Sequence, residues 1–127
     1  MSRKVIFTPR APKPIGPYSQ AVEAGGFVFV SGQIPLNPQT GEVVEGGIKE
    51  QTKQVLENIK AILEASGLAM ENVVYVSVFL RDLKLFSEFN EVYSQYFTKD
   101  PPARVTIQAA DLPRGVLLEV SVIAYRG

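Results

Sequence analysis

The apolar residues of this 127-residue chain switch twice from a period of two residues to one of about 3.6, and each time switch back. Few folds accommodate that order. Lys4–Phe7 reads as a short strand, and Ser19–Ala24, the Gly25-Gly26 pair and Phe27–Ser31 read as a hairpin with a two-residue turn. From Ile48 to Ser66 the pattern becomes helical: Val55, Leu56, Ile59, Ile62 and Leu63 fall on one stripe, and Gly67 is placed to end the helix. Val73–Leu80 is β-rich and reads as a central strand buried on both faces. A second helix spans roughly Leu83–Phe97, with Phe86, Phe89, Tyr93 and Tyr96/Phe97 on one side, and Pro101-Pro102 stop it. Arg104–Ala109 and Leu117–Tyr125 are the final strands. The order β-β-β-α-β-α-β-β predicts one α+β domain over residues 1–127, with a mixed sheet and both helices on one face. The other face needs a cover, and self-association supplies the cheapest one.

Two stretches between these elements stand out. Ala11-Pro12-Lys13-Pro14-Ile15-Gly16-Pro17-Tyr18 holds three prolines, which forbid a helix and favour a stiff extended loop. Gly32–Glu42 reads as a long loop with a turn at Asn37-Pro38-Gln39-Thr40-Gly41.

Composition narrows the chemistry. The chain has no His, Cys or Trp. A Ser-His-Asp triad, a Cys nucleophile, a thiolate zinc site and a His-ligated haem are therefore excluded within it. Thirteen basic and thirteen acidic side chains cancel, so no bulk positive field draws nucleic acid or an anionic membrane. No stretch reads as a signal peptide or a membrane helix, and the expectation is a soluble, cytoplasmic protein without disulfides. Catalysis must then use carboxylates, Arg, Lys, Tyr, hydroxyls and the backbone.

Glu119 interrupts the apolar run around Val116–Ala124, where a charge is costly unless paired. Alternation places Arg104, Thr106 and Gln108 on one face of their strand and Glu119, Ser121 and Ile123 on one face of theirs. If the two strands pair antiparallel with Thr106 opposite Glu119, Arg104 and Glu119 become diagonal neighbours roughly 7–8 Å apart. That pair reads either as an ion pair within a subunit interface or as a carboxylate-clamping Arg beside a proton-handling Glu. Beside Arg104, Glu119 is expected to stay ionised. Tyr18 is either an anchor for its loop or a phenol aimed into a pocket. Ser31-Gly32 is either a strand exit or a place where backbone N–H groups face a ligand. Asn90 reads as a satisfied buried amide or a ligand contact, and Arg81, Lys84 and Arg114 read as solvated surface charges.

Ile15-Gly16-Pro17-Tyr18-Ser19-Gln20, Ser31-Gly32-Gln33-Ile34-Pro35, Asn37-Pro38-Gln39-Thr40-Gly41-Glu42 and Pro102-Ala103-Arg104 … Leu118-Glu119-Val120 occur in order along the chain. In these blocks the chain resembles the Rid (reactive intermediate deaminase, YjgF) family, most closely its RidA-type 2-iminobutanoate/2-iminopropanoate deaminases. The resemblance runs roughly from Lys4 to Arg126. It implies a chorismate-mutase-like α+β fold, a homotrimer with pockets between subunits, and hydrolysis of 2-imino acids to 2-oxo acids and ammonia without metal or organic cofactor. It also implies a functional link to the pyridoxal-phosphate-dependent dehydratases that release such imines. Carried over by position, Arg104 would grip the substrate carboxylate and Glu119 would activate water. Tyr18 would lie along the pocket, Gly32 and Thr106 would offer backbone hydrogen bonds, and Ser31 and Asn90 would contribute less. Thr106 departs from the family pattern, in which Cys is frequent. A non-catalytic trimer that binds small carboxylates or acts as a chaperone-like module is the alternative, and ribonuclease or translation-inhibitor action fits poorly without His or positive charge. A chorismate mutase is a third reading, by analogy of fold alone.

Overall fold

A computed structural model describes residues 2–127. Its elements are β1 (Lys4–Ile6), β2 (Ala21–Ala24), β3 (Phe27–Gln33), α1 (Ile48–Ala65), β4 (Val73–Leu80), α2 (Phe86–Tyr96), β5 (Ala103–Gln108) and β6 (Leu118–Tyr125). The expected order holds, and both helices pack on one face of a single six-stranded sheet. No helix among the described residues is long and apolar enough to cross a membrane.

α1 begins where Glu50 Oε1 accepts the backbone N–H of Gly47 at 2.9 Å. It ends at Gly67, whose φ of 80° permits the paired bonds Leu68 N–H to Leu63 O and Gly67 N–H to Glu64 O. Its stripe of Val55, Leu56, Ile59, Ile62 and Leu63 is fully buried against Val28, Val76, Val78, Leu118 and Val120 of the sheet. Truncating Leu56 to Ala would cost roughly 2–5 kcal/mol. α2 is shorter than its sequence suggests, because Leu83–Leu85 form a separate turn capped by Asp82, whose carboxylate accepts from Lys84 N–H. Phe89, Val92 and Tyr93 are buried, whereas Phe86 is exposed.

The sheet order is β1-β2-β3-β6-β4-β5, and this corrects the expected pairing of the last two strands. β5 does not pair with β6. It lies parallel to β4, with Val76 opposite Arg104 and Val78 opposite Thr106. Parallel neighbours need a crossover, and α2 supplies it. β6 instead returns to the middle of the sheet, antiparallel to β3 on one side and β4 on the other.

The faces change accordingly. Phe79 stands opposite both Glu119 and Ile107, so Glu119 shares its face with Val105 and Ile107. Val78 stands opposite both Val120 and Thr106, so Arg104 and Thr106 share the helix-covered face with Leu118 and Val120. Arg104 and Glu119 therefore lie on opposite faces with β4 between their strands. β4 is central as expected but not buried on both sides: Val76, Val78 and Leu80 are buried, whereas Val74 and Tyr75 are exposed. The helices cover one face only. The other presents Phe27, Phe29, Tyr75, Val105, Ile107 and Tyr125, each at least 38% exposed.

Candidate functional site

β3 runs past the expected exit at Ser31 and reaches Gln33, with a bulge on the way. Val30 pairs with Val122 and Gln33 with Val120, so β3 fits one more residue between these pairs than β6 does. The extra residue falls at Ser31-Gly32. Bulges bend a strand and re-aim its neighbours, and here the missing Cβ of Gly32 makes room for the Glu119 carboxylate. A Cβ on residue 32 would stand 2.9 Å from Glu119 Cδ.

The proline loop closes over this point. Gln20, 1% exposed, fastens it from below: Oε1 accepts from Thr8 N–H at 2.8 Å, while Nε2 donates to Thr8 O at 3.0 Å and Pro12 O at 2.9 Å. Ser31 Oγ donates to Ser19 O at 2.6 Å, and Ser31 N–H donates to Gln20 O. The Ser31 hydroxyl is thus committed to holding the loop. Tyr18 turns back on Gly16 through its own N–H, and its half-exposed phenol oxygen accepts from Ile15 N–H at 3.3 Å.

Together these residues bound a cavity of about 550 Å³, with Tyr18, Ser31, Gly32 and Glu119 in its wall. Lys13 and Arg114 also line it. Arg114 is exposed, as its sequence context suggests, and its Nη1 donates to Gly41 O at 2.9 Å. Glu119 makes no hydrogen bond or ion pair with any described residue of its own chain. Burial pushes its carboxyl above the ordinary Glu range. This replaces the expectation of an Arg104-stabilised carboxylate, because Arg104 is on the other face.

Arg104 builds a second locus. Its Nη1 donates to Asn90 Oδ1 at 2.9 Å, so the Asn90 amide is engaged by the guanidinium. The guanidinium carbon lies 4.7 Å from the Tyr93 ring centre, 5.4 Å from that of Phe86 and 5.7 Å from that of Phe89. Such rings hold a cation in place while leaving its in-plane donors for an anion. Thr106, on the same face, carries a buried hydroxyl with no hydrogen-bond partner among the described residues. The seven candidates thus fall into two groups: Tyr18, Ser31, Gly32 and Glu119 around the cavity, and Asn90, Arg104 and Thr106 beside α2. Gln20 and Arg114 were missed as site residues. Their signals are a buried amide behind three prolines and a left-handed backbone, which a side-chain pattern does not reveal.

The chain and its fold match known proteins closely. A profile described as Endoribonuclease L-PSP, the Rid (YjgF) group, matches residues 8–126. The chain belongs to the Rid family. Among Rid relatives, it is 58% identical to a RutC family protein of Pyrococcus abyssi, covering 99% of both chains. It is 46% identical to the 2-iminobutanoate/2-iminopropanoate deaminase of Mus musculus, covering 98% of this chain and 93% of that one. It also superposes on the crystal structure of E. coli TdcF with bound serine, with a TM-score of 0.93, 46% identity and coverage of 98% and 99%.

Proposed function

We propose that this Rid protein is an imine hydrolase that converts small 2-imino acids to 2-oxo acids and ammonia, in sites completed between two copies of the chain. The observation that carries this reading is the separation of Glu119 and Arg104. One chain offers a desolvated carboxylate that forms no ion pair with the described residues and, on its opposite face, an aromatic-braced guanidinium that forms none with them either. A neighbouring copy would bring its Arg104 to this chain's Glu119, and the apolar sheet face gives the copies a reason to associate. A homotrimer, as the resemblance implies, closes such a head-to-tail contact into a ring.

In that site Arg104 binds the substrate carboxylate by parallel N–H donors, which fixes the adjacent imine carbon. Glu119 takes a proton from water, and the water oxygen adds to the carbon of the C=N bond. Glu119 passes that proton to the nitrogen, giving a carbinolamine. The proton of the new hydroxyl then follows to the same nitrogen through Glu119, so that the C–N bond breaks, ammonia leaves and the C=O of the 2-oxo acid forms. Burial raises the proton affinity of Glu119 in the chain and the approaching guanidinium lowers it, which keeps the carboxylate ionised and able to accept a proton. Positioning and proton transfer by such a pair supply on the order of 10²–10⁴-fold. The mouse relative's name supports the substrate class, and the serine bound in the E. coli TdcF structure supports a small amino-acid-like ligand. RNA cleavage has less support, since the chain lacks His and carries no net charge.

The test generates 2-iminobutanoate in place from threonine with a purified dehydratase and follows 2-oxobutanoate, with semicarbazide trapping surviving imine. Faster keto acid and less trapped adduct, both lost in Glu119→Gln, are expected. An unchanged rate with the assembled protein overturns the reading.

A further inference from the structure

α1 packs on the sheet with apolar side chains, yet two of its buried positions are amides. Gln51 is 7% exposed and Asn58 1%. They stand seven residues apart, hence on one helix face and about 10 Å from each other along its axis. Val55, between them on that stripe, is fully buried and apolar. A buried amide is costly unless it is hydrogen-bonded, so the partners of these two decide why they are there.

Gln51 Oε1 accepts from Leu117 N–H at 2.9 Å. The Leu117 carbonyl is also engaged, by Arg81 N–H at 2.9 Å. The backbone two residues ahead of Glu119 is thus fastened to α1 on one side and to the end of β4 on the other. Asn58 Nδ2 donates to Leu36 O at 3.0 Å and to Ile34 O at 3.5 Å, while its Oδ1 accepts from Gln54 Nε2 at 2.8 Å. Both ends of that amide are committed, so it has one orientation. Its carbonyl partners begin two residues after Gly32. α1 therefore grips, two turns apart, the chain leaving Gly32 and the chain entering Glu119. The Glu119 carboxylate occupies the space that a Cβ on residue 32 would take, so the separation of these two segments sets where it stands. Neither amide lines the Glu119 cavity.

We propose that Gln51 and Asn58 are positioning residues for Glu119: through the backbone beside Gly32 and Glu119 they fix the carboxylate where it reaches the water it deprotonates. This role rests on the proposed reaction for its effect on rate, whereas the titration of Glu119 needs no turnover.

Gln51→Met keeps the size and removes the acceptor, and Asn58→Leu does the same for the donors. Val55→Ala is the control, since it loosens the same stripe without removing a hydrogen bond. Each is assayed for 2-iminobutanoate hydrolysis well below its Tm. The amide variants are expected to lower kcat by about tenfold or more. KM stays within about twofold, because Arg104 of the neighbouring copy still holds the substrate carboxylate. Val55→Ala lowers Tm and leaves kcat within about twofold. Gly32→Ala already displaces the carboxylate, so adding Gln51→Met to it costs no more than about a further twofold. The Glu119 carboxyl midpoint, followed by carbon NMR, moves in Gln51→Met and not in Val55→Ala. Losses of kcat that track Tm in every variant, or full additivity with Gly32→Ala, overturn the inference. So does an unmoved Glu119 midpoint in a well-folded Gln51→Met protein, which decides the matter even if Asn58→Leu fails to fold. A wild-type protein that hydrolyses no imine, with the midpoint still moved by Gln51→Met, counts against the proposed reaction alone.

Discussion

Gly32 and Glu119 compete for one space: a Cβ on residue 32 would lie 2.9 Å from Glu119 Cδ and 3.2 Å from its Cγ. The β3 bulge puts the glycine there, and β6 brings the carboxylate to it from the centre of the sheet. The neighbour in the way is the far end of a flexible side chain, so an added methyl moves the carboxylate rather than the backbone. Gly32→Ala is therefore expected to lower imine hydrolysis by tenfold or more, about what a misplaced catalytic group costs, with Tm changed by only a few degrees. Full activity in a well-folded Gly32→Ala protein would show that this placement of Glu119 is not required.

The titration of Glu119 reports whether a cation reaches it in the assembly. Burial alone raises its pKa in the chain. A guanidinium within about 4–6 Å favours the charged form and lowers it by about 1–3 units. Arg104→Ala is expected to move the Glu119 carboxyl signal, followed by carbon NMR, to a higher midpoint than in the wild type. The acid limb of kcat/KM moves in the same direction in any variant active enough to measure. Superimposable titrations would mean that no Arg104 approaches Glu119.

Thr106 offers a stability test on the other locus. Its buried hydroxyl has no partner among the described residues, and leaving such a group unpaired costs about 1–3 kcal/mol. Thr106→Val keeps the shape and removes the hydroxyl, so Tm should rise by a few degrees. Thr106→Ser keeps the cost and should not raise it. A lower Tm for Thr106→Val would show that the hydroxyl has a partner in the assembled protein.

The C-terminal residues give a pH-dependent contribution. Arg126 Nε and Nη2 each donate to the Glu23 carboxylate at 2.7 Å, and Nη2 also reaches Ser66 O at the end of α1. The hydrogen bonds from Arg126 hold the Glu23 pKa below its ordinary value. A carboxyl lowered in the folded state stabilises above its unfolded pKa of about 4.3 and loses that contribution as pH falls through the folded value. The Tm gap between wild type and Glu23→Gln should thus be open at pH 7 and close on acidification into and below the carboxylate range. A gap independent of pH would contradict this.

Much of the fold was legible because the signals are local. The α1 stripe, the Gly67 stop and the Pro101-Pro102 stop each depend on neighbours a few residues away. The partner of β6 does not. Adjacent strands pair about two-thirds of the time, but here α2 makes β4 and β5 parallel neighbours and leaves β6 to fill the gap beside β3. Alternation then misled about faces for a physical reason. The outward face is itself apolar, with Phe27, Phe29, Val105 and Ile107, so Val105 and Ile107 look like core. The polar-looking row of Arg104, Thr106 and Gln108 in fact joins the helix side at the sheet's edge. Glu119 stood out as a charge within an apolar strand, whereas Arg114 did not, because neither the φ of a residue nor a contact 73 positions away is written in a loop's composition.

In the proposed site, catalysis needs the Arg104 of one copy and the Glu119 of another. Arg104→Ala and Glu119→Gln chains, each inactive alone, can be unfolded together in equal amounts, refolded into mixed assemblies and assayed for imine hydrolysis. With random assembly and a head-to-tail contact, roughly a quarter of the sites regain both native residues, and that share of the wild-type rate should return. No recovery in mixed assemblies of normal size and yield would contradict the account, because both groups would then have to act within one chain.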